Sequence, residues 1–476
     1  MNKHWFVLGI VCALGAVPAV AQFPEDALRL ATPGFGVGAR SMGMGNAYTG
    51  VASDYSAIYW NPAGLAQAQH GEFSVGLSFN GLTDQSTFFG NQLSSSNNAT
   101  TLNALGIVYP IPVRRGSLVL ALGYERQSVY TAGLQFSGFN PNSSYIQISA
   151  PDGQLYPSYL GDNLAYQLFL ADIDTLSGRF ISPIKNRVTQ SGDILEAGGL
   201  NNWSFGGAVD IGRDLSAGVT LNYVAGSYRY DRIYVEEDLN KYYDTFPFDF
   251  KKLEVKEYIE SDISGFNAKF GLMYRIPDKF RVGLGVQVPT AYYIHEIFGT
   301  TANSFFDNGD VQPTDGPYRM DGVTDYEVHT PWVFSGGASV IIADLVLSGD
   351  LEFTDWTSLQ FANPSSDLAE QNRIIRSTFR ETWNYRVGAE YDILGSGFRI
   401  RGGYGVNASP YKDDPKEFDR KFVTGGIGIL LGSNVMLDAG YMYGWWKTYR
   451  VNYDNSSRVD ESNTTNTVLA TLTVRF

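Results

Sequence analysis

The chain has almost no thiol chemistry: its single cysteine is Cys12. No disulfide and no cysteine-ligated metal site can form in the residues that follow it. Histidine is nearly as scarce, with four residues, and no Gly-x-Ser-x-Gly elbow occurs. A nucleophile paired with a base therefore has little to draw on, and an enzyme is not expected. Past residue 21 no apolar run reaches the roughly 20 residues of a membrane-spanning helix. Positive charge is also short. The formal net charge of −14 argues against a nucleic-acid partner, because such proteins carry basic patches.

What is present starts at the first residue. Met1-Asn2-Lys3-His4 is short and basic, an apolar run follows from Trp5 to Ala16, and Ala19-Val20-Ala21 is small-x-small. This is the pattern of a secretory signal peptide, residues 1–21, cleaved after Ala21 so that the mature chain begins at Gln22. Gly9-Ile10-Val11 lacks the small residue expected just before a lipidated cysteine, so Cys12 leaves with the leader. The chain is also rich in Gly (52), Tyr (30) and Phe (29). An exported chain of this kind, without thiols or spanning helices, fits a transmembrane β-barrel. Each strand there needs only about 10 residues and shows one apolar face.

The strand signal is alternation. Leu118, Leu120, Leu122 and Tyr124 share one face while Ala121, Gly123 and Glu125 share the other. Phe398, Ile400 and Tyr404 alternate with Arg399, Arg401 and Gly403, and Leu437, Tyr441 and Tyr443 with Asp438, Gly440 and Gly444. The second face is polar or tiny, which suits a lumen better than a soluble core. Such segments number roughly fourteen between residues 72 and 476, an even count as in bacterial barrels. Short linkers such as Pro277-Asp278 and Ala343-Asp344 alternate with long ones at 81–102, 131–201, 231–261, 296–326, 356–380, 408–419 and 449–464. Short periplasmic turns and long extracellular loops follow, with both termini periplasmic. The final strand ends on Phe476, like the terminal strands that outer-membrane assembly recognises. Tyr228, Tyr230, Tyr292, Tyr293, Trp356, Trp445, Trp446 and Tyr449 fall near strand ends, as an interfacial girdle would. Tyr159 to Leu176, within the aromatic-rich loop 131–201, is expected to form an amphipathic helix.

Residues 22–71 break the pattern. Their glycines and Ala-rich stretch have no strand partner, and a fourteen-stranded barrel leaves an open lumen unless something fills it. They are expected to plug it. Gly38-Ala39-Arg40-Ser41-Met42-Gly43-Met44-Gly45-Asn46-Ala47, followed by Trp60-Asn61-Pro62-Ala63-Gly64-Leu65, resembles the hatch of the outer-membrane long-chain fatty-acid transporter family (FadL/TodX). Asp350-Leu351-Glu352-Phe353-Thr354-Asp355-Trp356, Trp383-Asn384-Tyr385-Arg386 and Gly397-Phe398-Arg399-Ile400-Arg401 resemble its barrel in matching order. The resemblance implies a 14-stranded antiparallel barrel (72–476) with an N-terminal hatch (22–71). It also implies hydrophobic ligands such as fatty acids or hydrocarbons, hatch movement, lateral release into outer-membrane lipids, and no cofactor. The shuttle barrels of type IX secretion, which engage protein clients, are similar too. A monomer is expected.

Several residues are candidates on this reading. Arg386, Arg399 and Arg401 face the lumen by alternation and are each able to hold a carboxylate in paired hydrogen bonds. Asp350, Glu352 and Glu390 lie beside them, so a salt-bridge ladder is the plainer use. Lys269 points inward without an obvious acidic neighbour in sequence, which makes it a comparable carboxylate-binding candidate. Arg40 reads as a wall anchor. Asn61, Pro62 and Ala63 make a turn; if the turn gates, Asn61 ties hatch to wall and Pro62 fixes the backbone. Gly123 is placed at the kink of a lateral exit. His295 and His329 are expected to point inward but lack a third ligand, so no metal site is expected.

Overall fold

The computed structural model describes residues 22–157, 159–245 and 249–476; the leader segment 1–21 lies outside them. Fourteen antiparallel wall strands close on themselves. The first four are β1 (Glu72–Phe88), β2 (Asn91–Ile111), β3 (Leu118–Val129, continued by Ala132–Asn140) and β4 (Val188–Asp210). Next come β5 (Leu215–Glu237), β6 (Phe250–Ile276), β7 (Phe280–Gln287, continued by Ala291–Phe306) and β8 (Tyr318–His329, continued by Val333–Ile342). The last six are β9 (Leu345–Asp355), β10 (Glu381–Ile393), β11 (Phe398–Asn407), β12 (Arg420–Leu431), β13 (Val435–Val451) and β14 (Arg458–Arg475). Closure comes from β1 against β14, from Glu72↔Arg475 to Thr87↔Asp460. No edge is left to aggregate.

Alternation sets the two faces. Phe73, Leu77, Leu122, Phe205, Leu221, Leu284, Leu351 and Ile427 are exposed on the outer surface, while Ser74, Ser78, Ala121, Ser204, Asp350 and Asp438 are buried on the inner one. An apolar outside with a polar or small inside is the inverse of a soluble core, and it is what a lipid solvent requires.

Above the apolar band several strands run on as polar hairpins. The expected loop 81–102 is strand throughout except for the two-residue turn Phe89-Gly90, both at positive φ, as type I′ turns demand. Segment 231–261 is likewise mostly strand, from Leu215–Glu237 into Phe250–Ile276. Runs such as Ser94–Thr101 are polar on both faces, so they carry no alternation to read. The helix expected over Tyr159–Leu176 shrinks to Leu164–Gln167, followed by a small ribbon of Asp172–Asp174 and Arg179–Ile181.

Residues 22–71 enter the lumen as α1 (Pro24–Ala31), α2 (Ala39–Gly43), α3 (Ala57–Trp60) and a 3₁₀ turn, Pro62–Gln67. Pro24 sits at the first helical position of α1, and the Asp26 carboxylate accepts from the Phe23 N–H at 2.8 Å. Pro33 holds Thr32 extended and ends the helix. Val37, Tyr48, Val51, Tyr55, Ile58 and Leu65 then pack against Ala104, Val108, Val119, Ala121 and Ala208 of the wall. The described chain starts high in the bore: the Gln22 amide donates to Glu296 at 3.3 Å on the outer part of β7. Phe476 lies at the short-turn end, exchanging backbone hydrogen bonds with Gly71. Gln22 thus lies above the short-turn end, with α1 in the upper lumen.

Candidate functional site

The wall opposite the hatch is built from glycine where the two backbones nearly touch. A Cβ on Gly403 would collide with Gly45, one on Gly388 with Met44, and one on Gly283 with Thr49. Charge then fixes the plug in place. Arg40 grips Glu390 through both carboxylate oxygens, at 2.8 and 2.7 Å. Asp350 accepts from the N–H groups of Tyr48 and Thr49 at 2.8 and 2.7 Å. Asn61, fully buried, donates to the Thr49 carbonyl at 3.0 Å and the Leu272 carbonyl at 3.2 Å, while its own oxygen caps Ala63 N–H. Pro62 and Ala63 rest on Gly218 and Gly271, which leave no room for a side chain.

The arginines expected to face a ligand separate into two levels. Arg401 is sealed beneath the hatch between Glu390 and Asp438, each at 2.6 Å. Arg399 pairs with Asp392 at 3.0 Å at the short-turn end. Neither reaches the cavity, because the hatch lies above them. Arg386 does reach it, but both arms of its guanidinium meet Glu352 at 3.2 Å. Lys269 also lines it, donating to the Tyr59 carbonyl at 2.9 Å with its charge 4.0 Å above the Tyr59 ring. The ladder of ion pairs is the arrangement found.

Gly123 does not mark a kink. It pairs with Gly106, and together they form the slot for the Tyr55 ring. The Tyr55 hydroxyl donates to Glu125 at 2.6 Å. Paired inward glycines on neighbouring strands were the available sign of that slot. The bend comes just beyond. β2 and β3 are laddered only between Ala104↔Glu125 and Ile111↔Leu118, and β3 bulges against β4 between Arg126 and Ser128. Facing this bulge, Gly198 and Gly199 adopt φ of +105° and +151°, conformations that suit glycine alone. The hatch residues after α1 fill the breach: Gly34 N–H donates to Gln127 carbonyl at 3.2 Å, and Ser128 hydroxyl to Thr32 carbonyl at 3.4 Å.

Above the hatch lies a cavity of about 1400 Å³. It extends from Tyr411 and Lys412 in the long loops down to Tyr59, Trp60 and Pro62, and sideways to Gln127–Gly133 beside the breach. Tyr228, Tyr292 and Trp356, expected in an outer girdle, are buried on the inner side: strand parity points the two tyrosines inward, and Trp356 opens a 3₁₀ turn beyond β9. Tyr293, one residue on, is outside and exposed. His295 and His329 alternate with the buried Ile294 and Val328 and so face outward, the breaks at 288–290 in β7 and 330–332 in β8 having shifted the phase. Among the described residues His295 pairs with Asp325, at 2.7 Å. No metal-binding cluster occurs among the described residues.

This architecture, a plugged barrel with an aromatic lumen, has relatives. Residues 200–476 match the model of the outer membrane protein transport protein family (OMPP1/FadL/TodX). The chain belongs to that family. As a FadL/TodX-family barrel it is an outer-membrane protein of a group that transports hydrophobic compounds. The fold is shared with the Pseudomonas putida toluene transporter TodX (TM-score 0.57, 13% identity, 93% of this chain and 99% of that one). It is also shared with a Pseudomonas aeruginosa FadL homologue (TM-score 0.55, 14% identity, 92% and 98%). The Ralstonia pickettii toluene transporter TbuX aligns at a TM-score of 0.50 with 16% identity over 93% and 98%. No curated protein matches at the level of sequence.

Proposed function

We propose that this FadL/TodX-family barrel admits long-chain fatty acids and similar hydrophobic molecules from outside and releases them sideways into the bilayer. The observation that carries the reading is the course of the cavity. It descends to the hatch and turns aside at Gln127–Gly133, where the β2–β3 ladder has ended. An apolar solute gains nothing from a wet channel to the periplasm and gains by entering lipid directly. The cavity also exceeds the usual size range for pockets that take one small molecule, about 300–1,000 Å³, which leaves room for a long chain. A shift of Thr32–Gly34 away from Gln127 and Ser128 would clear the breach. We infer that a single barrel suffices, with the outer apolar band in contact with membrane lipids. Aromatic hydrocarbons, the cargo class of TodX and TbuX, are the competing ligands.

The test is uptake of radiolabelled oleate, and separately of toluene, by a Gram-negative host stripped of its own such transporter. Cells carrying the folded barrel should accumulate oleate faster than cells with empty vector. Rates no higher than those of empty-vector cells for either cargo, with the barrel present in the outer membrane, would sink the proposal.

A further inference from the structure

The wall of the barrel is uneven in height. Strands β9 to β12 have 10 to 13 residues, whereas β4, β5 and β6 have 23 to 27. The tall side carries a roof. Residues 141–187, between β3 and β4, bring Tyr145, Leu164 and Phe180 into an apolar core with Phe250, Tyr318 and Tyr453 from the wall and its turns. Polar contacts stitch the same roof down. The buried Glu236 carboxylate accepts from the Ser144 hydroxyl at 2.5 Å and the Tyr145 N–H at 2.7 Å, and the Tyr318 hydroxyl donates to the Asp162 carbonyl at 2.8 Å. A segment with this many buried contacts opens rarely. Among the described residues, none from 134 to 193 lines the cavity beneath.

The short side has a rim instead. Loop 408–419 is dominated by charge, with Lys412, Asp413, Asp414, Lys416 and Glu417 in one run. Lys412 donates to the Arg376 and Ser377 carbonyls at 3.1 and 2.9 Å, at the end of the helix Ser366–Thr378, and Lys447 of β13 donates to Glu417 at 2.8 Å. The exposed residues of the cavity lining show where it opens. Pro33 lies at the breach and Phe270 looks outward from the wall, whereas Ser377, Lys412, Asp413, Arg420 and Lys447 stand around this one place. On the outer surface of the same strands Trp383 and Tyr443 are exposed, and Tyr443 stacks on Trp445 at 5.8 Å; such aromatic belts mark the headgroup level of a membrane. We propose that the gap above β11 and β12 is the portal by which amphiphilic cargo enters, sideways and at the headgroup level of the outer leaflet, while the roof 141–187 stays shut. The proposal rests on the transport reading above and adds to it the direction of entry. An amphiphile at a membrane surface keeps its tail in lipid and its head in water. A portal at that level takes it in with little of the tail exposed to water, whereas an axial approach would expose it all.

Past residue 21 the chain has no cysteine, so single cysteines can be labelled with a compact, rigid probe, pyrenyl maleimide. Ser377→Cys and Lys447→Cys place it at the portal, and Tyr159→Cys and Leu176→Cys place it on exposed positions of the roof. Folding of each variant, before and after labelling, is read from its heat-modifiable migration on gels. Labelled S377C and K447C should take up oleate about tenfold more slowly than the same variants unlabelled. In detergent their association with oleate should slow by about the same factor at unchanged affinity, as a blocked route to an intact cavity requires. Labelled Y159C and L176C should match their unlabelled forms in both measurements. Unchanged association in labelled S377C and K447C, or equal slowing by the roof labels, overturns the portal. A native barrel that binds oleate yet takes none up overturns the transport reading, and the association rates still decide the portal. Binding of no oleate by the native barrel overturns both.

Discussion

At the scale of single residues, the hatch is held by a few polar contacts whose loss has different consequences. Arg40 is the cation that Glu390 shares with Arg401. Arg40→Ala leaves that carboxylate half-paired in the bore, a change costing about 3 kcal/mol for a buried ion pair. The expected result is a looser plug, seen as higher ionic conductance in planar bilayers; unchanged conductance would mean that the glycine contacts suffice. Tyr55 makes a second comparison. Tyr55→Phe removes one hydrogen bond to Glu125 and should cost about 1–2 kcal/mol. Gly123→Val drives a side chain into the Tyr55 hydroxyl and should lower the unfolding temperature on heat-modified gels well below that of Y55F. If the two variants melt alike, Gly123 is not the slot. Arg40 and Asn61 were legible in the chain because the Gly-rich and Asn-Pro segments have no strand partner and must meet the wall. The partner of Lys269, the carbonyl and ring of Tyr59, was not legible, because contacts across the bore join residues hundreds of positions apart.

Elements are legible to the degree that their two faces differ. The lower parts of the fourteen strands alternate lipid-facing apolar residues with small or polar ones, so their positions follow from period two. Their outer extensions are polar on both sides and look like loops. The break in β7 at 288–290 reverses parity, and with it the direction of His295. Helix α1 illustrates a different coupling. Glu296 lies on the outer part of β7, above the apolar band, and takes hydrogen bonds from Gln22, Ser261 and Tyr326. Burial, with the Asp26 charge close by, pushes its carboxyl up to about 7. A raised carboxyl keeps its proton in the docked state longer than in the free one. Docking is therefore strongest at low pH, weakens as pH rises from the ordinary carboxylate range through about 7, and is level above that. The shift bounds the effect at about 3 kcal/mol. Hydrogen exchange in residues 24–31, corrected for intrinsic rates, should show less protection at pH 8.5 than at pH 5. Glu296→Gln should remove the difference, and a native protein with equal protection at both values would refute the coupling.

At the scale of the whole molecule, the wall and the plug divide the work. The closed ladder from β1 to β14 is rigid and satisfies its own backbone. The hatch is short helices and turns joined to that wall by side chains, and such segments open at lower cost than a laddered sheet. On the proposed transport route, release lies where weak hatch contacts coincide with a missing ladder, and the two coincide at Gln127 and Ser128. Residues 22–476 contain no cysteine, so a pair introduced as Thr32→Cys and Ser128→Cys reports on that junction alone. Oxidised, the pair fastens the strap after α1 across the breach; reduced, it frees the strap, the hydroxyl bond from Ser128 to the Thr32 carbonyl being absent in both states. Uptake of oleate should fall by about tenfold or more on oxidation, as when a gating segment is immobilised, and recover with reductant. Binding measured in detergent should change little, because the cavity above the hatch is untouched. Uptake indifferent to the crosslink would put the exit elsewhere in the wall, whereas loss of binding together with uptake would mean that the strap shapes the cavity and does not merely close its side.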